Sequence, residues 1–179
     1  IVVVGIAVAL MLISPEMVLI FGSPKYREAV YVIPPVAASV FFIFIYNILS
    51  MPQFYYEKTQ FLMAASMAAA GANVVLNFIF IRLFGYIAAG YTTLACYMLY
   101  SVGHYIVSKQ ILVNEGIQEN LMNPGFLLAC SVFLIGASII CNLIFPYRIL
   151  RYAILLASAG LVFWKKELLL KTMADIRKK

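Results

Sequence analysis

Polar side chains inside apolar runs are the places where this sequence can do chemistry. Asn73 and Asn77 stand four apart, one helical turn, with Ser66 seven residues before Asn73. Two amides on one face can hydrogen-bond a polar substrate in a cavity or clamp a neighbouring helix. Tyr97, Tyr100 and His104 fall at i, i+3 and i+7, and Thr93 extends the stripe. Hydroxyls and an imidazole on one face suit the wall of a water-filled pathway, and they equally suit an inter-helix seam. Glu16 is a candidate cation site within the first apolar run, or a headgroup-level carboxylate paired with a basic neighbour. Arg82, Arg148 and Arg151 have the guanidinium geometry that phosphate favours, and also lie where basic residues anchor helix ends. The sequence has no nucleophile–base pair, carboxylate dyad or phosphate-cradling glycine loop. Cys96, Cys130 and Cys141 have no CxxC or Cys/His spacing and read as small apolar fillers. No metal site, no cofactor and no enzymatic activity are therefore expected.

The elements that must position these residues are membrane helices. The chain is 65% hydrophobic and 11% charged, with mean hydropathy +0.99. A water-facing surface needs roughly 25% charged residues. The charges are also clustered: residues 29–54 contain none of Asp, Glu, Lys, Arg or His, and residues 83–108 contain only His104. Charge-free runs of about 18 or more residues cross a bilayer as helices. The fold class expected is thus all-α, a polytopic bundle of about six transmembrane helices, near residues 2–22, 30–51, 60–83, 85–107, 125–145 and 148–164. Strand alternation is absent.

Helix punctuation marks the breaks. Ser23-Pro24 reads as an N-cap with proline at the first helical position, opening a short polar turn. Pro52, Gly85, Asn123-Pro124-Gly125 and Pro146 separate the later spans, while Pro15 and Pro34-Pro35 permit kinks. The net charge of +6 comes from helix ends and the tail, without the continuous stripe that nucleic acid requires. With six spans, both ends share a side with eight Lys and Arg, against Lys25, Arg27, Arg82, Arg148 and Arg151 on the other. That excess, which comes from the tail, places both ends in the cytoplasm. In the tail, residues 165–179, Leu169, Met173 and Ile176 recur among basic residues, the pattern of an interfacial helix or a solvated end. The start, Ile1-Val2-Val3-Val4, lacks both methionine and a basic leader, as expected of the C-terminal portion of a larger protein.

Several segments resemble the polysaccharide-biosynthesis flippases of the multidrug/oligosaccharidyl-lipid/polysaccharide superfamily. They are Ser14-Pro15-Glu16 followed by Phe21-Gly22, Tyr26 and Ala29; Tyr55-Tyr56-Glu57-Lys58-Thr59; Asn73 through Asn77; and the run Phe84-Gly85-Tyr86-Ile87-Ala88-Ala89-Gly90-Tyr91-Thr92-Thr93. The likeness covers residues 12–108. It implies a C-terminal lobe of a MATE-like two-lobed transporter: residues 1–108 as four helices of that lobe, 109–164 as a cytoplasmic loop and two additional helices, and 165–179 as a basic cytoplasmic tail. It further implies a bacterial inner-membrane protein that flips undecaprenyl-pyrophosphate-linked oligosaccharide by alternating access, with membrane lipids and an N-terminal lobe as partners. That lobe, absent here, would supply the pyrophosphate-binding cations. Asn73, Asn77, Tyr97, Tyr100 and His104 would then be substrate-pathway candidates. The alternatives are a cation-coupled multidrug exporter or lipid II flippase of the same superfamily and, further off, a membrane-embedded sugar-lipid enzyme.

Overall fold

The computed structural model describes residues 2–117 and 121–164 and is all-α among them. The first helix, α1 (Val2–Phe21), runs through Pro15. A proline has no N–H for the carbonyl four residues back, here that of Met11. The buried Ser14 hydroxyl donates to that carbonyl at 2.8 Å. The interruption is thus satisfied inside the helix, as lipid requires. The expected loop after Ser23 is instead a 3-10 segment, Pro24–Val32, with Pro24 in its first turn. The Ser23 side chain makes no capping bond, and Tyr26 leaves helical geometry at φ −103°, ψ 15°.

The segment leads into α2 (Ile33–Leu49) and a one-turn α3 (Met51–Tyr55). Pro34 and Pro35 lie in the first turn of α2, where an N–H has no partner to lose. They therefore start the helix rather than kink it. After α3, Lys58 N–H reaches Gln53 O at 2.8 Å, and Glu57 takes the left-handed conformation at φ 55° that usually favours glycine. Next comes an antiparallel hairpin of α4 (Gln60–Phe84) and α5 (Ala88–Asn114). Gly85 ends α4 at φ 78°. Asn123 caps α6 (Pro124–Ile144), its side-chain oxygen accepting from the N–H groups of Gly125 at 3.0 Å and Phe126 at 3.4 Å. The last described helix is α7 (Arg148–Trp164).

The chain divides into two compact units, Ile1–Asn142 and Leu143–Lys179. In the first, α2 and α5 run side by side in the same direction, Pro35 near Gly90 at one end and Leu49 near Ser108 at the other. A Cβ on Gly90 would lie 2.8 Å from Pro35 and 2.9 Å from the Val32 carbonyl, so only glycine permits this approach. Met11 and Leu12 of α1, Ala37, Ala38, Phe41 and Ile45 of α2, and Leu94 and Ile111 of α5 form the core. In the second unit, Phe145 is buried before α7 begins, and the Arg151 N–H bonds to the Tyr147 carbonyl at 3.1 Å, closing its first turn. The tail expected to lie in the interface falls outside the described residues.

Most large apolar side chains point outward: Phe21 is 83% exposed, Met67 71% and Leu99 70%. A surface of this kind matches hydrocarbon, not water. Four helical runs are long and apolar enough to cross a membrane: Val2–Phe21, Lys25–Tyr55, Gln60–Phe84 and Pro124–Ile144. Two expected spans fall short among the described residues. The 27 residues of α5 are long enough, but its Thr, Ser and Tyr side chains and His104 lower its apolarity. The 17 residues of α7 are too few. The protein is therefore a membrane-associated helical bundle.

Candidate functional site

The polar residues of α4 and α5 meet across the hairpin. Among the described residues α4 buries no side chain, and Ala69 and Ala70 leave space where a larger residue would fill the seam. The result is a cavity of about 460 Å³ between α2, α4 and α5. Ser66, Asn73, Thr93, Cys96, Tyr97 and Tyr100 line it, together with Tyr46 from α2. Tyr46 stacks near-parallel on Tyr97 with ring centroids 6.4 Å apart, and meets Tyr100 edge-on at 4.7 Å. The Tyr100 and Ser66 hydroxyls share a hydrogen bond of 2.6 Å that ties α5 to α4. No lining residue is charged.

The two asparagines divide their work. Asn73 lines the cavity. Asn77 donates to the Asn73 side-chain oxygen at 2.9 Å and accepts from the Thr92 hydroxyl at 2.5 Å. It is thus the inter-helix clamp that the spacing also allowed. Tyr97 and Tyr100 line the cavity, whereas His104 does not and is fully buried. Its Nδ1 lies 2.9 Å from the amide nitrogen and 3.2 Å from the amide oxygen of Gln53. Gln53 also donates to the Ser108 hydroxyl at 2.9 Å, and Ser108 donates to the Leu49 carbonyl. This buried chain of polar groups fastens the α2–α3 junction to α5.

Beyond His104, along the same seam, lies a second cavity of about 470 Å³ walled by Glu57, Lys58, Gln60, Phe61 and Gln110. Lys58 pairs with Glu115 at 3.6 Å, both half-exposed, a contact of little energetic weight. An apolar groove of about 390 Å³ lies on the other side of α5, between α2 and α6, walled by Phe41, Met98 and Leu128 among others.

Glu16, half-buried beside Pro15 on α1, lines none of these cavities. Arg82 stacks over the Phe78 ring at 3.9 Å in the last turn of α4, a helix-end position. Arg148 and Arg151 belong to the second unit. Sequence reasoning missed Tyr46, Gln53 and Ser108. Ser101, His104 and Ser108 at i, i+3 and i+7 were the available signal for a buried polar stripe on α5.

Chemically, the first cavity offers hydroxyls, an amide and aromatic faces to an uncharged, hydroxyl-bearing guest. Among the described residues no group of three or more His, Cys, Asp or Glu is placed to hold a metal. No family model, curated protein or solved structure matches the chain.

Proposed function

We propose that this protein is part of a bacterial inner-membrane flippase carrying lipid-linked oligosaccharide repeat units across the bilayer by alternating access, with both ends of the chain cytoplasmic. The observation that carries the reading is the first cavity: three tyrosines, Asn73, Ser66 and Thr93 around an uncharged space between α2, α4 and α5, of which α2 and α4 lie in runs long and apolar enough to cross a membrane. Tyrosine faces suit the C–H surfaces of sugar rings, and the amide and hydroxyls suit their hydroxyl groups. The resemblance noted in the sequence points the same way. A cation-coupled drug exporter draws less support, because the cavity wall contains no carboxylate and Glu16 is not part of it.

The test is transfer of lipid-linked oligosaccharide to the outer leaflet by the intact protein in its own membrane. Asn73→Leu and Tyr97→Leu, which remove an amide and a ring from the wall, are each expected to lower transfer about tenfold, the effect of roughly 1.4 kcal/mol of lost contact. Undiminished transfer in the double variant overturns the reading.

A further inference from the structure

His104 separates the two cavities of the α4–α5 seam. Tyr46 and Tyr100 belong to the wall of the first cavity and lie against the imidazole, with centroids at 5.8 Å and 4.4 Å. Phe61 belongs to the wall of the second and meets the same ring edge-on at 5.6 Å. The imidazole and these three rings therefore form a partition. Gln53 serves Nδ1 in either protonation state, since its amide nitrogen and oxygen both lie within reach. Nε2 is buried and has no hydrogen-bond partner among the described residues.

We propose that His104 is a proton-binding site, and that taking up a proton opens this partition. Neither neutral tautomer satisfies the ring. With hydrogen on Nε2 a donor is left over, and with hydrogen on Nδ1 a lone pair is left over. In the tautomer with hydrogen on Nε2, the Nδ1 lone pair accepts from the Gln53 amide N–H. Hydronium entering from the second cavity gives its proton to Nδ1 and leaves as water, and the bond from the Gln53 N–H is the one broken. The imidazolium then has two donors and a charge. Nδ1–H must bond to the Gln53 oxygen, so Gln53 can no longer donate there. The Gln53 oxygen already lies 3.2 Å from Nδ1, so the amide accepts from the imidazolium while still donating to Ser108, and it is the charge that is left without a counterpart.

The groups facing the ring do not neutralise its charge. They are Tyr46 from α2, Gln53 from α3, Phe61 from α4, and Tyr100 and Ser108 from α5 itself. The tyrosines are the titratable groups among them, and none is a carboxylate or a cation. Glu57 and Lys58, in the turn before α4, stand in the second cavity beyond Phe61. Aromatic faces attract a cation but accept no conventional hydrogen bond. The charged ring is therefore driven toward water in one cavity or the other, which draws it out from between Tyr46, Tyr100 and Phe61 and joins the two spaces. Imidazole is the side chain whose unperturbed titration falls between about pH 5 and 8.

The chain contains one histidine, so ¹⁵N-histidine labelling of the full chain in lipid nanodiscs reports His104 alone. The expected result is a reversible titration of both ring nitrogens in the folded protein. It should be accompanied by amide protection about tenfold lower in residues 49–56 and 101–110 at the acid end, once the intrinsic pH dependence of exchange is divided out, a local opening. His104→Asn keeps a neutral hydrogen-bonding group near Gln53 and should keep the same amide protection across the range. A histidine signal that does not titrate overturns the proposal, as does titration with unchanged protection; both are read on the wild-type chain should the variant not fold. The transport reading is tested separately: a chain that titrates but moves no saccharide fails that reading alone, and one that flips with an unprotonated histidine throughout fails this one.

Discussion

The seam between α2 and α5 buries Ala37, Ala38, Phe41, Ile45 and Leu49, while α4, on the other side of α5, buries no side chain at all. The first contact is close and dry, set by alanines and by Gly90 against Pro35. In lipid such packing holds helices by dispersion and shape, because hydrocarbon already surrounds the apolar faces. The second contact is a set of polar bridges, Ser66–Tyr100 and Asn77–Thr92, spanning open space. The contrast teaches that α2 and α5 form the closely packed frame, and that α4 is held to α5 by polar bridges around a cavity.

That contrast can be broken most strongly at Gly90. Gly90→Val forces Pro35 and the Val32 carbonyl away and is expected to lower stability by about 1–3 kcal/mol or more. Unfolding of the purified protein in mixed micelles measures it, and a neutral result would show that the α2–α5 frame is loose. A smaller effect is expected across the open seam. Thr92→Val removes the bond to Asn77, and such bonds between membrane helices average about 0.6 kcal/mol. A loss as large as that of Gly90→Val would place the frame at α4 instead. The smallest effect belongs to the turn between α4 and α5. There the Tyr86 hydroxyl donates to Glu28 at 3.0 Å, and loss of hydration first, then the hydrogen bond and charge of Glu28, hold its pKa above 10.0. A raised folded pKa means that the contribution is present below the ordinary tyrosine value and disappears as pH rises through the folded one. Tyr86→Phe should therefore differ slightly from wild type at neutral pH, and the difference should vanish in strong alkali.

Much of the frame was legible in the residues. Charge-free runs marked the long helices, and Asn123 and Gly85 marked their ends, because capping and backbone restrictions act locally, whereas Pro34-Pro35, read as a kink, start α2. The span expected over residues 85–107 is a long helix, α5, but it is not among the runs apolar enough to cross a membrane. Its polar stripe lowers its hydropathy, and that stripe is satisfied by partners distant in sequence. Gln53 and His104 are 51 residues apart, and only the parallel alignment of α2 with α5 brings them together. Tyr46 was hidden in an apolar run for the same reason: a helix's own sequence does not say which neighbour leaves a gap beside it. The facial spacing of Asn73 and Asn77 was read correctly, but the partner of each was decided by α5. Thr92 lies within reach of one, and open space beside the other.

Ser14 and Pro15 have a consequence for how this helix can vary by descent. The hydroxyl of Ser14 occupies the Met11 carbonyl that Pro15 leaves without a donor. Alanine at position 14 is therefore harmful beside the proline and harmless beside an ordinary residue, whose own N–H would fill that carbonyl. The two positions are thus coupled: any residue with an N–H at position 15 would release position 14, whereas proline there calls for a small hydroxyl before it.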